Sequence, residues 1–380
     1  MQTKTSKTGW WKGILHGAVV LALLLLLTPG WARGQNLTVD GGATKFVPPS
    51  ITYDNETIGD TGQGTLVHIA GSNTVNTDLT LGSTATGSGT YQLWPFGTLS
   101  VGRDEYIGEA GTGFLKQIGG THTVNSNLYL GRESTGSGTY HLEGGSLLGF
   151  TEFIGDAGHG CFTQVGGTHK VNAFVRLGNQ STGNGTYHLT LGSLTAVTED
   201  IGLAGEGGFT QIGGSNTVKA FLFIGGASTG SGTYNQYGGS VSVAKDETIG
   251  SYGTGTFNQI DGCHTVNNNL YLGRESTGSG TYHLDFGSLS VGTYEYIGNS
   301  GIGSFRQLGG SHTVGSTLYL GSESTGSGTY HLYNGNLSTE FDFITVPAAS
   351  PKSVGAMMYP RFKLAWLFPA LAPTVLNLAT

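Results

Sequence analysis

The feature that most constrains this chain is a repeat. An Ile-Gly pair recurs at Ile58, Ile107, Ile154, Ile201, Ile249 and Ile297, in steps of 47–49 residues. Exactly midway in function, though not in length, runs a second Gly-followed series: Leu81, Leu130, Leu177, Ile224, Leu272 and Leu320, each 23 residues after its partner. The unit is therefore a doublet, and twelve half-repeats run from about Asn55 to Leu337. A unit of two dozen residues cannot enclose a core alone. It must bury its apolar face against its neighbours, which is the logic of a solenoid.

The halves keep their large residues in register. Eight residues after each Ile of the first series stands Leu66, Leu115, Phe162, Phe209, Phe257 or Phe305. Ten after each member of the second series stands Tyr91, Tyr140, Tyr187, Tyr234, Tyr282 or Tyr330. Between them lie short period-2 segments such as Asn127-Leu128-Tyr129-Leu130, which read as strands, separated by Gly and Ser/Thr/Asn corners. Three such strands per half-repeat predict one coil of a parallel β-solenoid. Stacking at about 4.8 Å gives a rod of about 55–60 Å from about twelve coils. The twelve large residues should then superpose as one ladder of alternating Phe or Leu and Tyr, and core packing is its expected role.

Composition agrees. Glycine supplies 68 of 380 residues and charged residues only 11%, which excludes a coiled coil or helical bundle. The glycines lack a three-residue period, and 37% hydrophobic content is enough to bury, so neither collagen nor a disordered chain fits.

Residues 1–34 read as a secretory signal peptide. Lys4, Lys7 and Lys12 precede the apolar run Ile14 to Leu27, and Ala32-Arg33-Gly34 offers small residues for cleavage near Gly34/Gln35. Removing that segment takes four of 17 basic residues and none of 24 acids, leaving 13 against 24, or −11. Such a balance argues against a nucleic-acid partner. Residues 35–54 are the expected N-terminal cap, 55–337 the solenoid, and 338–380 a C-terminal cap and tail. Cys161 and Cys263 fall four coils apart, about 19 Å along the axis, so no disulfide between them is expected.

The grammar G-G-x-x-x-V…L-x-L-G…G-x-G-x-Y, as in Gly119 to Leu147, resembles the repeat of autotransporter passengers and of exported proteins associated with the PEP-CTERM sorting signal. The resemblance spans about Asn55 to Leu337. It implies a right-handed parallel β-helix on or outside the surface of a Gram-negative bacterium. The chain departs from both patterns after Leu337. Only 43 residues follow, against the few hundred of a translocating barrel. Val346-Pro347-Ala348-Ala349 lacks the Glu of a PEP motif, and Arg361 and Lys363 lie at the start of the apolar stretch rather than after it.

One constellation is chemically suggestive. A Gln and a His recur five residues apart in the first halves: Gln117/His122, Gln164/His169, Gln259/His264 and Gln307/His312, with Gln211/Asn216 and His68/Asn73 as variants. The matching second-half positions are mostly Leu, as at Leu142/Leu147. These pairs are expected inside, bonded to each other and to nearby backbone. Like residues two coils, about 9–10 Å, apart cannot share a metal. A second column, His141, His188, His283 and His331, sits beside the ladder Tyr and should point outward. No catalytic residue, cofactor or metal site is expected. The expected role is an exported structural or adhesive repeat protein that contacts polysaccharide or other cell-surface components weakly and multivalently. A carbohydrate-active enzyme on the same scaffold, or a truncated autotransporter passenger, is the alternative.

Overall fold

A computed structural model describes residues 34–344, with two short backbone segments at 359–360 and 374–376. The proposed signal peptide and most of the tail lie outside the described residues. The chain is an all-β solenoid: every described element is a strand, and a coil carries three, the second and third running on as one strand in Gln63–Val75 and Ser88–Val101. In the coil that opens at Glu105 these are Glu105–Ile107, Thr112–Gln117 and Thr121–Val124. First strands stack in one sheet of 15, and second and third strands share a sheet of 25.

Stacking is parallel and keeps residue-for-residue register. Leu128 lies on Glu105, Tyr140 on Leu115, and Leu147 on His122. The twelve expected coils are all present. Residues 35–54, expected as a cap, add one more: Leu37–Val39, Ala43–Phe46 and Ser50–Tyr53 pair in parallel with the next coil. At the other end the direction changes. Phe341–Ile344 opens one more coil, and Tyr359–Pro360 and Thr374–Leu376 pair antiparallel with its first strand and with Ser327–Leu332. An antiparallel strand ends the parallel template, which is how an exposed edge is blunted.

The corners need glycine for a local reason. Gly108 follows Ile107 with φ +70°, and a Cβ there would sit 2.1 Å from the carbonyl oxygen of Ser137 in the coil above. Neither the backbone angle nor the space admits a side chain. The core runs unbroken along the axis. Ile58, Leu81, Ile107 and Leu130 line one wall and the ladder lines the other, all at most 1% exposed except Tyr330 of the last coil, at 5%.

The ladder is as the spacing predicts. From Tyr140 to Tyr330 each ring lies on the next at centroid distances of 4.5–4.9 Å, with interplanar angles of 9° or less. Leu66, Tyr91 and Leu115 continue it toward the N-terminus.

Candidate functional site

The interior carries the most organised chemistry in the molecule. Gln117 and His122 are fully buried, as expected, but they do not bond to each other. They converge on the tyrosine of the coil above. The Tyr140 hydroxyl lies 2.5 Å from Gln117 Oε1 and 2.8 Å from His122 Nδ1. The proton order follows from counting donors. Gln117 Nε2 donates to the carbonyls of Gly120 and Ser146, so its Oε1 is the acceptor. Tyr140 O–H donates to that oxygen, and the phenolic oxygen accepts from His122 Nδ1–H.

The other side of the imidazole meets a residue that the sequence reading passed over. His122 Nε2 lies 2.8 Å from Glu105 Oε2, and both side chains are fully buried. The arrangement repeats as Glu152–His169–Tyr187–Gln164, Glu247–His264–Tyr282–Gln259 and Glu295–His312–Tyr330–Gln307, each with the same 2.8 Å His–Glu contact. The imidazoles of His169, His264 and His312 also lie flat on Phe162, Phe257 and Phe305 at 4.4–4.6 Å.

The signal for these glutamates was present. Each Ile of the first series is preceded by two positions by a Glu: Glu56, Glu105, Glu152, Glu199, Glu247 and Glu295. Strand alternation puts residue i−2 on the same face as the inward Ile. In the intervening coils the register sets Leu79, Leu128, Val175, Leu222, Leu270 and Leu318 at the same place. Polar and apolar layers thus alternate. Gln236 is the exception, standing where a leucine is expected and donating to the carbonyls of Gly239 and Cys263.

Two layers lack the histidine. Asn216 Nδ2 donates to Glu199 Oε2 at 2.9 Å and to the Tyr234 hydroxyl at 3.2 Å. Asn73 does the same for Glu56 and Tyr91, both at 3.1 Å. In that layer His68 occupies the Gln position, and its Nε2–H donates to the Gly71 carbonyl. Here one amide supplies both N–H donors. Burial pushes the carboxyls of Glu56 and Glu199 up to about 7, against the lowering effect of the Asn hydrogen bond. Burial also pushes the hydroxyls of Tyr91, Tyr140, Tyr187, Tyr234 and Tyr282 well above the ordinary phenol range. In all six layers at least one carboxyl oxygen has no protein hydrogen-bond partner. Among the described residues no group of three or more His, Cys, Asp or Glu could hold a metal ion.

The outside is equally regular. The column His141, His188, His283 and His331 lies on the outer side of the second strand, with Thr163, Thr210 and Arg306 among the residues between. The third strand presents a column of hydroxyls, Thr121, Ser146, Thr168, Ser193, Ser215 and Ser240, continued by Cys263. On the first strand Tyr106, Tyr129 and Phe153 stack on one another at 5.3 and 4.8 Å, and Tyr271, Tyr296 and Tyr319 at 4.8 Å. Arg132 lies over Tyr106 at 4.5 Å and Arg274 over Tyr271 at 4.7 Å. Their faces are occupied by one another and by guanidinium groups, so these rings show their edges to solvent. Both cysteines are free, Cys161 half-buried and Cys263 exposed.

No family model, curated protein or solved structure matches this chain.

Proposed function

We propose that this chain is an exported structural or adhesive rod at the surface of a Gram-negative bacterium, working by repetition and without catalysis. The observation that carries the reading is where the repeated chemistry sits. The Glu, His, Tyr and Gln of four doublets, and their Asn-containing counterparts in the other two, are spent on one another inside the coil. What repeats outside is a set of columns in step with the coil, formed by hydroxyls, by imidazoles two or four coils apart and by self-stacked aromatics. Such a surface supports many weak contacts that add, here with polysaccharide or other envelope components. The signal-like leader and the likeness to autotransporter and PEP-CTERM-associated repeats support the address.

Cell fractionation of a Gram-negative host tests the reading. The full chain and one lacking residues 346–380 are compared. The expected result is export with loss of the leader, and cell-surface retention that changes when the tail is removed. A chain found in the cytoplasm with its leader intact overturns the address. Turnover of an acidic polysaccharide by the purified chain overturns the non-catalytic role.

A further inference from the structure

One corner of the rod is apolar along its length and faces water. The residue that follows the inward Gln or Leu of the second strand points outward, and its amide bonds to the coil below, as Ile212 N does to Leu189 O and Tyr237 N to Gln211 O. These corner residues therefore stack as a column, one per coil. Nine of the twelve corner residues from Ile69 to Tyr333 are apolar; Thr190 and Asp285 are polar but are each followed by an apolar residue, Leu191 and Phe286. The exception is Glu143, which is held by Lys116 at 2.8 Å and His141 at 3.5 Å. Trp94, Leu191, Ile212, Tyr237, Phe286 and Tyr333 form the line's most prominent members, each 40–65% exposed, and Phe96 beside Trp94 is 81% exposed. Leu191 and Phe286 lie over Gly213 and Gly309 of the next coils, so the glycines leave no gap in it.

We infer that this seam is an interface through which two copies of the chain pack side by side. Three arguments select a second copy. First, the area fits. Nine exposed apolar side chains on the line, these seven with Ile69 and Val165, offer about 100 Å² each, about 900 Å² in all, close to the roughly 800 Å² per partner of a stable pair and beyond the roughly 300–600 Å² patch usual on a monomer. Second, a column with one step per coil can pack along itself about a twofold axis, which an isologous dimer requires. Third, the charge disfavours a lipid surface. With its leader removed the chain carries 13 basic and 24 acidic residues, a balance that anionic headgroups repel. The stacked first-strand aromatics are a different case, because their ring faces are already covered. The inference stands whether or not the rod is adhesive.

Sedimentation equilibrium of the full chain after export tests it. The expected result is a dimer with a Kd at or below about micromolar. Changing Ile212→Lys with Tyr237→Lys should weaken it at least about 100-fold, with unchanged far-UV circular dichroism and melting. Phe223→Lys, on the opposite sheet, should leave it intact. In a chain with Cys161→Ser and Cys263→Ser, Ile212→Cys should oxidise to a linked dimer while Phe223→Cys should not, because mid-seam residues meet in either orientation. A wild-type chain that stays monomeric, a dimer indifferent to the paired lysines, or a monomer captured by anionic lipid vesicles through Ile212 and Tyr237 would each overturn the inference.

Discussion

His169 Nε2 lies 2.8 Å from Glu152 Oε1, and neither side chain reaches solvent. The contact closes a layer in which the same imidazole holds Tyr187 and lies flat on Phe162. Breaking one side of a buried pair strands the other charge, whereas replacing both by apolar groups is often close to neutral. His169→Leu should therefore cost about 3–5 kcal/mol. His169→Asn should cost much less, because Asn216 supplies the same two donors in the next polar layer. The double change Glu152→Leu with His169→Leu should recover most of the loss, since the adjoining coil already holds Val175 and Leu194 in those two positions. Urea unfolding of the three variants checks the order. A double variant no more stable than His169→Leu would show that the layer is not an independent pair.

The ladder hydroxyls divide the aromatic positions into two kinds. Tyr140→Phe keeps the ring stack but leaves Gln117 Oε1 and His122 Nδ1 without their partner. It should destabilise by about 1–3 kcal/mol. Phe162→Leu, matching the natural Leu115, removes ring contact without orphaning a polar atom and gives a different signature. Hydrogen exchange should rise in the coils around Ser137–Leu142 for Tyr140→Phe.

Stability should fall as pH rises through neutrality. The carboxyls of Glu56 and Glu199 are raised by burial from an ordinary 4.5 to about 7. Between those values the folded chain holds protons that the unfolded chain has released. Their contribution is complete below about pH 4.5 and lost as pH climbs through about 7, on the order of 3 kcal/mol for each carboxyl. Glu56→Gln with Glu199→Gln should flatten this part of the profile, measured as urea midpoints at about pH 5 and about pH 8. An unchanged slope in the double variant would refute the assignment.

Glycine requirements differ between neighbouring corners. Gly108→Ala places a Cβ 2.1 Å from the Ser137 carbonyl oxygen at φ +70°, whereas at Gly144 the nearest atom is 3.2 Å away and φ is not positive. The first should cost well over the 1–2 kcal/mol of left-handed backbone alone, and the second less than about 1 kcal/mol. Comparison of their melting temperatures checks the contrast.

The coil, its three strands and the ladder were legible because each rests on a local period. Ile58 to Tyr91 repeats through the chain, and stacking turns that spacing into vertical neighbours. The buried Gln and His positions were legible for the same reason. Three features were not. Glu105 lay in plain view two residues before Ile107, but an acid in a short strand is normally read as outward unless strand phase is applied to it. The bonding within a layer was also hidden, since Tyr140 joins Gln117 and His122 from the next coil. The segment 35–54 has too little of the repeat grammar to announce a coil, yet it pairs throughout.

Sequence alone determined the period, the strand phase and the identity of every column, because a chain that repeats has its neighbours set by its spacing. Tertiary structure decided what those columns do to one another. Only stacking brings the Glu of one strand, the His and Gln of two others and the Tyr of the next coil within hydrogen-bond reach. Removal from water then makes each of them depend on the rest.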